Sequence, residues 1–223
     1  MKTTRFLAAL LAFGLGRLHA ESAINLPDPY TDPFTTNVQD QTLGWAFQVD
    51  APITITALGL LDLEQDGLLF DHEIGLWQEG DTNPLVTALI PSGDATSALG
   101  YFRYVDTPEF TLDAGTVYLI GAYYSGMLSN PFQRDYVNNI EEGFSGVFGP
   151  GITFLGARTS SQGIAGLAYP DEDTYTADAP FLGPNFLYRA ATPTAVPEGS
   201  AGLLMPLGLL ALAAMRRRQE RVA

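Results

Sequence analysis

The densest set of potentially reactive groups lies in residues 62–73, DLEQDGLLFDHE, where five carboxylates (Asp62, Glu64, Asp66, Asp71 and Glu73) fall within twelve positions. Calcium takes several oxygen ligands. The helix-flanked loop that supplies them carries acidic or amide side chains at positions one, three and five, glycine at six and glutamate at twelve. Asp62, Glu64 and Asp66 occupy the first three of these places, Gly67 the sixth and Glu73 the twelfth, with Glu64 standing where Asp or Asn is wanted. The flanks, ITITALGLL and EIGLWQ, are strand-like, so the loop is not an EF-hand. Leu68, Leu69 and Phe70 also bring apolar side chains to a place that a metal loop keeps wet. Two readings stand. One is a β-loop calcium site built on Asp62, Asp66 and Asp71, with Glu64 and Glu73 alongside. The other, which the residues favour, is an acidic connection that packs Leu69 or Phe70 over one end of the strands.

Other chemistry is sparse. His72 is the one histidine outside the first twenty residues. A Ser-His-Asp triad would need a marked nucleophile, and the Gly-x-Ser-x-Gly elbow is absent. At the start of a strand, His72 reads as a hydrogen-bonded structural residue. Without cysteine, and with this single histidine, zinc would have to be held mostly by carboxylates, which is unusual. Glycoside hydrolysis needs two carboxylates at a set separation, and no pair stands out among the many present. Trp45, Trp77, Tyr101, Tyr104, Tyr123 and Tyr124 offer flat amphipathic faces for sugars, although strand aromatics mostly pack into cores.

The elements that must position these groups are strands. GWAFQVD, ITITALGLL, HEIGLWQEG, PLVTALIPSG, LGYFRYVDT, EFTLDAGT and VYLIGAYYSG follow one another at short, even spacing, each break holding Gly, Pro, Asp or Asn. Beyond Ser125 the glycine-rich, aromatic sequence reads as long loops between strands, and FLGPNFLYR as the strand that closes the sheet. The expected fold is all-β, an antiparallel β-sandwich of jelly-roll type over residues 21–190. No Rossmann fingerprint, phosphate loop or basic stripe is present.

Residues 1–20 have the order of a secretory signal peptide: Lys2 and Arg5, the apolar FLAALLAFGLG, then LHA before Glu21. An exported chain without cysteine holds together by packing, without disulfides. Of 11 cations, all but Arg103, Arg134, Arg158 and Arg189 lie in this leader or at the C-terminal end, and of 25 carboxylates only Glu220 does. The intervening chain therefore sets four cations against 24 carboxylates, a net charge of −20. Such a surface repels phosphate backbones, so nucleic acid is excluded as a partner.

After the strands, residues 191–200 (ATPTAVPEGS) form a proline-bearing linker, residues 201–215 (AGLLMPLGLLALAAM) are wholly apolar, and residues 216–223 open with Arg216, Arg217 and Arg218. The arginines would hold this end in the cytoplasm, with the acidic domain outside. The layout resembles the PEP-CTERM sorting signal of exported bacterial proteins: Val196-Pro197-Glu198, with Gly199 where that signal usually has a second proline, then a short hydrophobic helix and a basic cluster. The resemblance implies processing by an exosortase, a membrane transpeptidase-like enzyme, in a Gram-negative bacterium that makes extracellular polysaccharide. A plain C-terminal membrane anchor is the alternative. A GPI signal fits less well, because its hydrophobic tail carries no basic cluster. Across residues 42–188 the strand and turn motifs, among them ITITALGLLD, LDAGTVYLIGAYY and GITFLGAR, resemble a domain of unknown function that recurs in PEP-CTERM proteins. That resemblance implies a fold and no activity.

The expectation is a non-enzymatic exported protein of the cell surface or extracellular matrix, anchored in the membrane as a precursor and binding calcium or polysaccharide. The alternative is a secreted hydrolase acting on matrix polysaccharide.

Overall fold

Alternation of apolar and polar residues is weak in the central strands, and the cause is that both faces of the sheet holding them are covered. The computed structural model describes residues 20–30, 40–125, 145–173, 181 and 183–191. The leader, the linker, the apolar run and the basic tail expected from the sequence lie outside these residues, apart from Ala20 and Ala191. Among the described residues no helix is long and apolar enough to cross a membrane.

The described residues form thirteen strands in chain order: β1 (Glu21–Ser22), β2 (Ile24–Asn25), β3 (Gln41–Val49), β4 (Ile53–Leu61), β5 (His72–Gln78), β6 (Val86–Ile90), β7 (Ser97–Leu99), β8 (Phe102–Leu112), β9 (Val117–Tyr124), β10 (Val147–Phe148), β11 (Ile152–Thr159), β12 (Glu172–Asp173) and β13 (Pro184–Ala190). All pairings are antiparallel. One sheet runs β1-β13-β4-β8-β7, a second runs β12-β11-β3-β9-β5-β6, and β10 pairs with β2. Successive strands pass back and forth between the two larger sheets: β3 to β4 to β5, then β6 to β8 to β9.

One core joins the sheets, giving the all-β, sandwich-like architecture expected. Trp45 of β3 stacks on Phe186 of β13 (centroids 5.9 Å apart, planes 18° apart), and Phe47 lies 5.0 Å from the same ring. The Trp45 indole N–H donates to the Pro184 carbonyl at 3.0 Å, so a buried donor is satisfied across the sheet-to-sheet gap. On the opposite face of the six-stranded sheet, residues 160–170 form a second cover. Ala168 N–H donates to Thr42 Oγ1 (2.9 Å), and Tyr169 packs edge-on against Trp77 at 6.2 Å. Gly75 is required beneath that indole, since a Cβ there would overlap the six-membered ring of Trp77.

The strand expectations hold closely for β4, β5, β9 and β13, and two are corrected. LGYFRYVDT and EFTLDAGT are not separate strands, because β8 runs through Pro108. Pro108 cannot donate to a ladder, and it sits where the register against β4 slips between Ile55 and Ala57, a bulge that leaves it without a partner to disappoint. The glycine-rich sequence after Ser125, expected as long loops between strands, contains β11, which pairs with β3 from Leu43 to Val49. Gly156 lies at a bulge in β11, inside the GITFLGAR motif.

Candidate functional site

The acidic loop is anchored, and its anchor is a cation. Asp62, the residue after β4, is buried, and its Oδ2 accepts from Arg103 Nε at 2.5 Å and from the Gly67 N–H at 3.1 Å. Arg103 Nη1 donates to the Asp94 and Thr96 carbonyls at 2.9 and 3.3 Å. One guanidinium therefore ties residues 62–67 to residues 94–96, and charge-assisted bonds of this kind are about twice as strong as neutral ones. Gly67, at φ +107°, lets the chain return close to Gly93, where a Cβ would meet a carbonyl carbon at 2.7 Å. Leu68 then exchanges both backbone hydrogen bonds with Gly93.

The remaining carboxylates do not join Asp62. Glu64 and Asp66 lie on the exposed turn, and Glu73 points outward from β5. Asp71 is exposed and accepts the Ser92 N–H at 2.7 Å, a bond that holds its carboxyl below the usual range. Among the described residues, no three carboxylate or imidazole groups gather closely enough to hold a metal ion. The apolar member that seals the end of the sandwich is Leu68, 3% exposed, whereas Leu69 is 52% exposed and Phe70 is half-buried. Sequence reasoning overlooked Arg103. A lone arginine on a strand of so acidic a chain was the available signal.

His72 is buried at the start of β5 beside the Tyr124 ring, 5.1 Å away. Its Nδ1 lies 3.1 Å from the Tyr123 carbonyl, which can only accept, so that nitrogen carries the proton. This is a structural position. Of the six aromatics considered for sugars, Trp45, Trp77, Tyr104 and Tyr124 are buried. Tyr123 is half-buried, its hydroxyl donating to Asp40 at 3.0 Å, and burial pushes its pKa up. Tyr101 lines a cavity.

That cavity, about 360 Å³, opens between residues 20–26 and the β7–β8 turn. Ile24 and Phe102, both buried, line it together with Leu99, Glu21, Asn25 and Tyr101. Tyr101 is held from several directions. Its hydroxyl donates to Asp28 Oδ1 (2.9 Å) and accepts from the Tyr30 N–H (3.1 Å), its ring meets that of Tyr30 at 6.2 Å, and its carbonyl accepts the Asp62 N–H.

Ser22 and Ile24 of the cavity lining are fixed by Asn185, which is fully buried in β13. Its Oδ1 accepts the Ile24 N–H (3.0 Å) and its Nδ2 donates to the Ile24 carbonyl (2.9 Å), so one side chain pairs Ile24 as a neighbouring strand would. Nδ2 also reaches Ser22 Oγ and Tyr104 OH, at 3.0 and 3.1 Å. Burial raises the Tyr104 pKa well above its ordinary value of 10.0. An internal network this fully bonded is rigid. Neither Asn185 nor Ser22 was visible as special in the sequence, because their pairing spans the whole chain.

No protein-family model, curated protein or solved structure matches the chain.

Proposed function

We propose that this chain is a non-enzymatic exported protein of the bacterial cell surface or extracellular matrix, sorted through a PEP-CTERM-like tail and contacting polysaccharide through its β-domain. The observation that carries the reading is a junction. Strand β13 completes the five-stranded sheet at Ala190. The sequence then runs directly through a linker to Val196-Pro197-Glu198, the apolar residues 201–215 and Arg216, Arg217 and Arg218. A domain that closes its own sheet at that point leaves the tail as a separate signal. An exosortase-type enzyme is the processing partner, and the apolar run is the precursor's membrane anchor. The absence of cysteine and the −20 charge of the intervening chain suit an exterior setting.

We assign the sandwich to the jelly-roll type. Its support is the strand order. In one sheet β1-β13-β4-β8, and in the other β3-β9-β5-β6, follow the B-I-D-G and C-H-E-F orders of an eight-stranded roll. Strand β7 extends the first sheet, and β11 and β12 extend the second.

The hydrolase reading calls for two carboxylates converging across a cleft. The described cleft presents Glu21 among its lining, and Asp28 nearby is bonded to Tyr101. No observation favours that reading over the first.

The test is fractionation of the expressed protein with and without residues 197–223. The full chain is expected in the membrane fraction of a host lacking exosortase, and the truncated chain in the soluble exported fraction. Identical fractionation of the two would overturn the sorting role of the tail.

A further inference from the structure

We infer that the cleft between residues 20–26 and the β7–β8 turn is a binding subsite for one pyranose unit of a neutral polysaccharide. The inference deepens the polysaccharide contact proposed above and rests on that reading. A pyranose ring has two faces of C–H groups and an equator of hydroxyls. Its site therefore needs one flat apolar wall and a set of fixed polar groups around the rim. The cleft supplies both. Tyr101 supplies the aromatic ring, and Glu21 and Asn25 also line the cleft, the first an acceptor-only carboxylate and the second a donor-acceptor amide. At about 360 Å³ the cavity lies at the small end of ligand-binding clefts, which suits a single sugar unit with the chain continuing outward past Leu99.

Rigidity separates this cleft from an incidental surface hollow. The Tyr101 hydroxyl, which in an ordinary surface tyrosine would turn to water, is locked between Asp28 and the Tyr30 N–H. Asn25 donates through Nδ2 to the Ser22 carbonyl at 3.2 Å, and the backbone of Ile24 just before it is held by Asn185. Tyr101 and Asn25 are thus held before a ligand arrives, which lowers the ordering cost of binding. Charge narrows the class. Glu21 lines the cleft, Asp28 accepts from the Tyr101 hydroxyl, and the domain is strongly acidic, so a uronic acid or sulfated unit would be repelled and a neutral hexose would not.

The experiment is a titration of the full chain in detergent with cellotetraose, galactotetraose, mannotetraose and tetragalacturonate, read by calorimetry and by ligand-observed saturation transfer. Saturable binding is expected for at least one neutral tetramer and none for tetragalacturonate. Tyr101→Ala should weaken binding roughly tenfold or more, the equivalent of one aromatic contact. Asn25→Ala, a change at an exposed side chain, should weaken it several-fold with an unchanged melting temperature. Absence of binding by all three neutral tetramers overturns the inference. So does preference for tetragalacturonate, or unchanged affinity in the folded Asn25→Ala protein. These outcomes leave the fractionation result untouched, so the subsite and the sorting role fail separately.

Discussion

At the scale of single residues, the ion pair between Asp62 and Arg103 is the most consequential contact in the domain. Both side chains are buried, and each would be an unpaired charge without the other. Removing one partner of such a pair costs about 3–5 kcal/mol, whereas replacing both with apolar groups of similar size is often neutral. Asp62→Ala should therefore lower the denaturation midpoint sharply, and Asp62→Leu with Arg103→Met should recover most of the loss. Chemical denaturation of the two variants checks this, and a near-native Asp62→Ala protein would contradict it. Tyr104 sets a pH limit on the same terms. Burial raises its folded-state pKa, so its contribution is complete below the unfolded value near 10 and is lost as pH climbs above it. Stability should fall steeply above about pH 10, and Tyr104→Phe should flatten that fall while lowering stability at neutral pH through the lost bonds to Ser22 and Asn185. Thermal melts across the alkaline range provide the check.

At the scale of elements, the two-residue strands β1 and β2 are too short to hold themselves in place. Two ladder positions against β13 and two against β10 are all the strand pairing they have. Asn185 makes up the difference by bonding both backbone groups of Ile24. Asn185→Leu would leave the Ile24 backbone groups and the Ser22 and Tyr104 hydroxyls without that partner, a loss of about 1–3 kcal/mol for each buried group left unsatisfied. Hydrogen exchange should show the Ala23 and Ile24 amides exchanging much faster in that variant, with the β4–β13 ladder still protected. Equal loss of protection in β4 would mean that Asn185 supports the whole sheet and not the N-terminal strands alone. The same variant should loosen the cleft wall that carries Asn25.

At the scale of the whole molecule, self-repulsion dominates the electrostatics. Three of the four arginines between leader and tail are described, and all three meet carboxylates: Arg103 with Asp62, Arg189 with Glu109 at 2.5 Å, and Arg158 with Glu79 at 3.9 Å. The remaining carboxylates far outnumber these cations. Screening should thus stabilise the fold, and melting temperature should rise with sodium chloride. With the acidic loop tied to Arg103 and its carboxylates dispersed, Ca²⁺ and Mg²⁺ at equal concentration should raise the melting temperature alike. A rise specific to Ca²⁺ and abolished by Asp66→Asn would instead establish a metal loop at residues 62–73, since binding to the folded state alone adds roughly 2.7 kcal/mol at a hundredfold excess over Kd.

Much of this was legible along the chain. Short runs rich in β-branched and aromatic residues, with turn residues between them, determined that the described residues are all-β, and ITITALGLL is β4 to the residue. Local backbone preference needs only neighbours in sequence, so such elements can be read there. What the sequence alone did not decide is everything that depends on pairing across distance. Pro108 marks a break in any local reading, yet a bulge carries β8 through it. Four of the six aromatics considered as a sugar platform are core, Trp45 because β13 packs against β3 and Trp77 because residues 160–170 cover the other face, since a sheet has two faces and the sequence does not say which will be covered. DLEQDGLLFDHE has the spacing of a calcium loop, but its first ligand position is taken by a guanidinium from a strand some forty residues away. Spacing sets which groups can meet within a loop. The tertiary structure decides which charge arrives first.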